Sequence, residues 1–194
     1  MHTKYPVFVF LCLVLGLASC AEVEEGPDNQ AKINNVIPPE FVQTVKDLGM
    51  DVFPGNTPPD VTGTYFMIPN LMLRSNITGD VPSNTAFVTY NVTFSYFNEE
   101  DFSIRFVGLA SGERDESESA VISGSGNNFT VYGRSTTTVG SNSVVLGVMY
   151  SGTIEDEKVK NLKRAIIVID DSKGGPTLMK KGNSRVFHDG DKSS

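Results

Sequence analysis

Apolar and polar residues alternate without a break in Val88-Thr89-Tyr90-Asn91-Val92-Thr93-Phe94-Ser95-Tyr96, residues 88–96 of the chain. In an extended strand, side chains two positions apart lie on the same face. One face of this strand therefore carries only apolar or aromatic groups, and the other carries only short polar ones. The pattern predicts a strand of an antiparallel sheet that is buried on one face and in contact with water on the other.

The same period of two continues on both sides of this stretch, and turn-forming residues separate the segments. Eight strands are predicted, at residues 62–73, 84–97, 102–110, 113–123, 128–134, 143–154, 162–170 and 184–188, and Pro69 and Asn70 interrupt the first of them. No segment between them has the pattern of a crossover helix, so we expect each strand to pair antiparallel with its predecessor. The fold class is mostly β. An eight-stranded antiparallel up-and-down barrel is favoured because closure leaves no free edge, and a two-sheet β-sandwich is the alternative.

Residues 38–49 predict one short N-terminal helix ahead of the strands. Two prolines begin it, an acidic residue lies in its first turn, where the helix dipole favours an anion, and a glycine ends it. The strands at 143–154 and 162–170 are apolar on both faces, so both faces need cover. We expect the helix to pack across the outer face of this hairpin with its apolar stripe, which consists of Phe41, Val42, Val45 and Leu48.

The first twenty residues have the anatomy of a secretory leader. Lys4 precedes an apolar run at residues 5–16, which is shorter than the roughly 20 apolar residues that a membrane-spanning helix needs. The run ends in Leu17-Ala18-Ser19-Cys20, which resembles the lipobox of bacterial lipoproteins. The resemblance implies that residues 1–19 are a lipoprotein signal peptide and that Cys20 is the lipid-attachment residue, carrying acyl chains such as palmitate. The alternative is a plain secretory signal with a chance cysteine.

Residues 20–36 are polar and acidic at their start, which predicts a disordered, lipid-anchored tether ahead of a barrel domain at residues 37–194. The lipobox resemblance implies a bacterial cell-envelope location, as an outer membrane lipoprotein that faces the periplasm or the cell surface. The acidic residues after Cys20 also resemble the surface-export signals of lipoproteins in some Gram-negative bacteria. A merely solvated spacer is the alternative reading of this segment.

The strand count and order resemble the lipocalin and fatty-acid-binding superfamily of eight-stranded barrels. In lipocalins a short helical entry precedes Gly-x-Trp on the first strand, and an Arg on the last strand packs over that Trp. Gly63-Thr64-Tyr65 and Arg185 occupy the matching places here. The resemblance implies that Gly63, Tyr65 and Arg185 close the barrel, although Tyr65 replaces the tryptophan and the chain contains no Trp. It also implies a cup that holds a small apolar molecule.

Such a barrel is wide enough either to be filled by its own side chains or to hold one small ligand. Aromatic residues on the predicted inner face are the candidate ligand-binding residues, namely Tyr90, Phe94, Tyr96, Phe106 and Tyr150. Their rings suit an apolar ligand, and their hydroxyls could hold its polar head. The alternative is a packed core, and a ligand is favoured only if an inward hydroxyl lacks a protein partner.

Composition argues against most catalytic chemistry. Beyond the leader, His188 is the single histidine and Cys20 the single cysteine, so a Ser-His-Asp triad or a His/Cys zinc site lacks its residues. Carboxylates cluster at 99–101, 170–171 and 189–191, but none of these segments has the spacing of a calcium loop. We expect no metal, no cofactor and no enzymatic activity.

The net charge of −7 argues against nucleic acid as a partner. The sequence therefore predicts a monomeric, non-catalytic lipoprotein that is attached to the membrane by its lipid anchor and binds a small apolar ligand. The alternative is a structural or adhesion module that binds a partner protein in an outer-membrane assembly. The two differ in the interior, because a ligand needs a cavity, whereas the module predicts a filled barrel and an apolar patch outside.

Overall fold

The computed structural model describes Met1 and residues 29–194 of the chain. Cys20 and the predicted signal peptide therefore lie outside the described residues, apart from Met1. Two short helices come first, α1 (Asn29–Val36) and α2 (Pro39–Asp47). The strands that follow are β1 (Asn56–Thr57), β2 (Gly63–Met67), β3 (Asn70–Ser75), β4 (Ala86–Phe87), β5 (Tyr90–Asn98), β6 (Ser103–Ala110), β7 (Glu113–Ser125), β8 (Asn128–Val139), β9 (Asn142–Glu155), β10 (Lys158–Lys173) and β11 (Ser184–Asp189).

All strands belong to one sheet, whose order is β2-β5-β6-β7-β8-β9-β10-β11-β3-β4, with β1 pairing in parallel to β7. Every other pairing is antiparallel, and the strands from β5 to β11 each pair with the next along the chain. The fold class is thus mostly β with an antiparallel, barrel-like sheet, as the period of two predicted. The alternative of two separate sheets is wrong.

The count of eight strands is also wrong, because the described residues contain eleven. The predicted strand at 62–73 is divided into β2 and β3 by a turn at Ile68 and Pro69, where the proline has no N–H to donate. The strand at 84–97 is divided into β4 and β5 opposite this turn. The register does not change across the two breaks, since Met67 pairs with Tyr90 and Asn70 with Phe87. The two-residue β1 is the remaining addition.

The two ends of the sheet lie on neighbouring segments of chain. β2 pairs with β5 at one end of the path, while β3, only two residues further along, pairs with β11 near the other end. The last residue of the chain also connects separate strands of the curved sheet. Ser194 exchanges two backbone hydrogen bonds of 2.8 Å with Val159 at the start of β10, and its hydroxyl donates to the carbonyl of Phe66 in β2.

Helix α1 was not expected, and it corrects the predicted tether at 20–36 over its last eight residues. Ile33 in α1 is buried, and the helix packs on β7 and β8. Arg134 of β8 donates to the carbonyls of Asn35 and Val36 at 2.7 and 2.5 Å, which binds the last turn of the helix to the sheet. Residues 29–36 therefore belong to the folded domain.

Helix α2 confirms the predicted helix, although it packs mainly on β10 and β11 rather than across the predicted hairpin of β9 and β10. Pro39 lies in its first turn, and Gly49, just past its end, has a φ of 97° and donates to the carbonyl of Lys46. The helix packs on β10 and β11, with Phe41 and Val45 buried. Burying a large apolar side chain contributes about 1.5 to 3 kcal/mol, so this face rather than helix propensity holds the helix in place.

Candidate functional site in the sheet interior

Two tyrosines meet on the concave side of the sheet. Tyr90 lies in β5 and Tyr150 in β9, four strands away in the sheet order, yet their hydroxyls are 2.6 Å apart. Their rings stack with centroids 6.4 Å apart and an interplanar angle of 26°. Side chains of such distant strands touch only because the sheet curls around them. Both are fully buried, and burial is the main reason that their pKa values lie above the ordinary value for tyrosine.

A buried ion cluster completes the polar centre. The hydroxyl of Tyr90 donates to Asp115 of β7 at 3.1 Å. Arg164 of β10, whose side chain is 1% exposed, pairs with Asp115 and with the half-exposed Glu113. Its guanidinium also lies 4.0 Å from the ring centroid of Tyr90. Burial opposes the charge of Arg164, but the oxygens of Tyr90, Asp115 and Glu113 more than compensate and raise its pKa above the usual value.

Aromatic rings fill the space around this centre. The rings of Phe94 and Phe106 lie edge-on to Tyr150 at centroid distances of 5.4 and 5.1 Å. Two glycines make room for them. A Cβ at Gly108 would lie 1.7 Å from the hydroxyl of Tyr90, and one at Gly133 would lie 2.3 Å from the ring of Phe106. The interior is therefore packed with the chain's own side chains, at a density that even one added methyl group would violate.

Four of the five candidate ligand-binding residues come together here, namely Tyr90, Phe94, Phe106 and Tyr150. The placement of Tyr96 was wrong. Its side chain is 72% exposed, its φ is 55°, and it stacks with Arg105 at 4.4 Å outside the core. The register between β5 and β6 shifts after Ser95, and such a bulge turns the following side chains away from the face that alternation assigns to them.

Of the three residues predicted to close the barrel, Gly63 and Tyr65 contact each other in β2 and Arg185 binds elsewhere. Tyr65 is buried with its ring 6.0 Å from that of Phe94, and Gly63 leaves room for its hydroxyl. Arg185, however, does not pack over Tyr65. It forms two hydrogen bonds of 2.8 Å with Asp80, and these hydrogen bonds lower the pKa of Asp80 to about 2. Arg185 therefore connects β11 to the loop between β3 and β4 instead of taking the predicted place over Tyr65.

The sequence reasoning missed Arg164, Asp115 and Glu113. One signal was present, because Arg164 shares its strand face with Ile166 and Val168, and a cation at such a position needs a buried partner. Asp115 gave a weaker signal, since it stands in the charged run Glu113-Arg114-Asp115-Glu116, which reads as a solvated strand. Only the fold joins residues 115 and 164.

Among the described large apolar residues that are 38 to 53% exposed, four lie on or beside β2, β5 and β6, and we call them the apolar patch: Phe66, Ile68, Val88 and Leu109. Phe66 of β2 pairs with Asn91 of β5, and Asn91 pairs in turn with Leu109 of β6, so Phe66 and Leu109 lie in one row across three strands. Ile68 and Val88 lie at the two breaks described above. The patch therefore occupies the outer face where the first two long strands bend.

No protein-family model matches the chain, and no curated protein or solved structure shows significant similarity to it. Within the part of the chain that the structure describes, no helix is long and apolar enough to cross a membrane. The same residues contain no group of three or more His, Cys, Asp or Glu side chains placed to hold a metal ion.

Proposed function

We propose that the chain is a lipid-anchored lipoprotein of the bacterial cell envelope and that its β-domain is a non-catalytic module that binds a partner protein. In this proposal the sheet is a closed, lipocalin-like barrel in which β2 with β3 and β4 with β5 each act as one bent strand. The unchanged register across both breaks supports the two bent strands, and the pairing of β11 with β3 supports closure.

The observation that carries the proposal is the filled interior. The hydroxyls of Tyr90 and Tyr150 both have protein partners, so the condition for an interior ligand is not met. A small apolar molecule would have to displace packed aromatic rings. The prediction of such a ligand between Tyr90, Phe94, Phe106 and Tyr150 therefore has no support from the geometry. The geometry instead supports the alternative drawn from the sequence, in which the barrel is filled and a partner protein binds outside it.

The chemistry of the interior also supports a non-catalytic role. The raised pKa values of Tyr90 and Tyr150 keep both hydroxyls protonated near neutral pH. Asp115 is engaged by Arg164 and by Tyr90, so its carboxylate already accepts hydrogen bonds from two neighbours. A general base must reach the proton that it abstracts, and these groups face one another rather than an open cleft.

The apolar patch supplies the surface for a partner. Helices α1 and α2 pack mainly on β7, β8, β10 and β11, whereas the patch lies on β2, on β6 and beside β5. Exposed groups of large apolar side chains mark interaction surfaces. Covering the four side chains completely would contribute on the order of 0.5 to 1.5 kcal/mol each, because about half of each is already buried. A protein partner with a complementary apolar surface fits this arrangement.

The anchor is tested by lipid labelling. Cys20→Ala removes the thiol that a lipobox offers to the lipid, so we expect the variant to remain an uncleaved or soluble precursor without incorporated palmitate. Wild type and Cys20→Ala would be labelled with radioactive palmitate in cells and compared after membrane fractionation. Equal labelling of the two chains would overturn this part of the proposal.

The partner surface is tested by site-specific photocrosslinking in cells. A photoreactive phenylalanine would replace Phe66 in the patch or Val139, which is comparably exposed at the end of β8. We expect one discrete adduct from position 66 that is absent at position 139 and is lost when Leu109→Lys is added. The same adducts at both positions, or none at position 66, would contradict a partner on this face.

A further inference from the structure

A second surface feature lies on the helix-covered side of the sheet. A cleft of about 370 Å³ opens between α1, α2 and the segment at residues 52–56. Its floor includes Ser123 of β7 and Tyr132 of β8, whose hydroxyls are 3.2 Å apart, and Ser123 also donates to the carbonyl of Phe53 at 2.7 Å. The volume lies in the range of sites that bind small molecules. We call this feature the helix cleft.

The polar lining of the helix cleft is unusual for an acidic chain. Five of its side chains are uncharged amides: Asn29, Gln30, Asn34, Gln43 and Asn56. Gln30 donates to the Oδ1 of Asn34 at 2.8 Å and Gln43 donates to Asp47 at 2.7 Å, and an amide NH₂ has a second N–H while its oxygen has two lone pairs. Among the lining residues that the structure describes there is no carboxylate, although the net charge of the chain is −7. Lys46 is the single charged residue of this described lining. Such a cleft suits hydroxyl groups and one negative charge.

One buried amide of the helix cleft is incompletely paired. Asn29 is 2% exposed, and its Nδ2 donates to the carbonyl of Ile122 at 2.9 Å. Its Oδ1 is buried and accepts a hydrogen bond from none of the described residues. A buried acceptor without a donor is unfavourable. Asn29 lines the helix cleft, so a hydroxyl group of a molecule bound there could supply the missing donor.

We propose that the helix cleft binds a small, hydroxyl-rich ligand of about monosaccharide size that carries one carboxylate. In this arrangement the amides exchange hydrogen bonds with the ligand's hydroxyls, and Lys46 pairs with its carboxylate. Val42 and Val52 offer apolar walls to the ring C–H groups. The site is separate from the apolar patch, so it adds a function to the proposed one and does not depend on it.

The experiment uses D-glucuronate as the probe and D-glucose as its neutral comparator, with saturation-transfer NMR on the full chain purified in detergent. We expect both sugars to receive saturation, and glucuronate to bind about two- to fivefold more tightly, as expected for one exposed ion pair. Salt at about 0.5 M should remove most of this preference. Lys46→Gln should remove it as well. Lys158→Gln, an equal loss of charge at the exposed first residue of β10, should leave the preference intact.

A second variant tests the location of the binding site. Val42→Trp places a large ring in the helix cleft and should abolish saturation transfer to both sugars while the circular dichroism stays native. Lys46 is exposed, so we expect Lys46→Gln to fold. This variant tests whether the ligand's carboxylate binds in the helix cleft even if Val42→Trp does not fold. The proposal is overturned if neither sugar receives saturation in wild type, if Lys158→Gln acts like Lys46→Gln, or if a folded Val42→Trp still binds.

Discussion

Adding a single methyl group at Gly108 tests whether the interior is filled. The alanine Cβ of Gly108→Ala would lie 1.7 Å from the hydroxyl oxygen of Tyr90, 2.6 Å from the ring carbon that bears it and 2.8 Å from the hydroxyl oxygen of Tyr150. Carbon and oxygen atoms that are not bonded need more than 3 Å. The ring of Tyr90 must therefore move by about 1.5 Å, although Arg164 lies against its face.

The cost follows from the contacts that this movement breaks. Overpacking a tight core costs about 1 to 3 kcal/mol. Moving Tyr90 also breaks its hydrogen bonds with Asp115 and Tyr150, and leaving buried polar groups unpaired costs about 1 to 3 kcal/mol more. We expect Gly108→Ala to lower the free energy of unfolding by about 3 to 5 kcal/mol. Leu109→Ala, next in the strand but on the outer face, should cost about 1 kcal/mol or less.

The assay is urea unfolding followed by circular dichroism, since the chain has no tryptophan to report by fluorescence. Tyr90→Phe removes the hydroxyl that the new Cβ would meet. The combination Tyr90→Phe/Gly108→Ala should therefore cost less than the sum of the two single changes, with a coupling free energy of about 1 to 3 kcal/mol. A Gly108→Ala protein within 0.5 kcal/mol of wild type would refute the filled interior, because it would reveal free space beside both tyrosines.

Three further predictions concern the ion cluster, the helix and acid stability. Arg164→Met leaves Asp115 buried without its cation and should lower the free energy of unfolding by about 3 to 5 kcal/mol in urea. The double variant Arg164→Met/Asp115→Leu should recover most of this loss. An equal loss in the single and the double variant would contradict the buried ion pair. Phe41→Ala should cost about 3 to 5 kcal/mol by the same assay, since the side chain is 8% exposed, and an unchanged midpoint would show that α2 does not need its docked face. The pKa of Asp80 is about 2 when folded and 3.8 ordinarily, chiefly because of the hydrogen bonds from Arg185. A lowered carboxyl pKa adds stability that is fully present above the unfolded value and is lost as pH falls from about 5 to 2, here about 1 to 2 kcal/mol. Asp80→Asn should therefore flatten the fall in Tm over this range, and an undiminished fall would contradict the assignment.

The fold class could be predicted because alternation is a local property of strands. The predicted strand at 184–188 and the observed β11 (Ser184–Asp189) differ by one residue, and the prediction at 102–110 is as close to β6. The strand at 128–134 was predicted too short, since β8 continues to Val139 through Ser135-Thr136-Thr137-Thr138. Those residues do not alternate in polarity, but threonine favours extended backbone, and β9 pairs with them.

Local irregularities could not be predicted in the same way. A bulge changes which face every following residue occupies, and nothing in the alternation of residues 88–96 shows that the register shifts after Ser95. The placement of Tyr96 therefore failed while that of Phe94 succeeded. The division of the first strand was easier to foresee, because Pro69 interrupts it. The matching break at Val88 and Thr89 has no proline and follows only from its partner across the sheet.

The candidate interior depends on contacts that no local pattern contains. Arg164 and Asp115 are separated by 49 positions in sequence and pair only because the sheet curls. Gly108 and Gly133 gave a sequence signal in retrospect, since a glycine within a strand often marks the close approach of another group. Here the approaching groups are the rings of Tyr90 and Phe106. The same glycines that weaken their strands thus allow aromatic residues to fill the centre.

This filled centre decides where the protein can interact with other molecules. The interior hydroxyls of Tyr90 and Tyr150 and the carboxylate of Asp115 are paired, and among the described residues the buried Nε of Arg164 is left without a hydrogen-bond partner, so we expect recognition to fall to the outer faces. These faces differ in kind. The face beneath α1 and α2 carries the helix cleft, whose amides surround the unpaired Oδ1 of Asn29. The face around Phe66 is uncovered and apolar. A single small domain can therefore present a polar small-molecule site and an apolar protein surface, because its core needs neither face to remain folded.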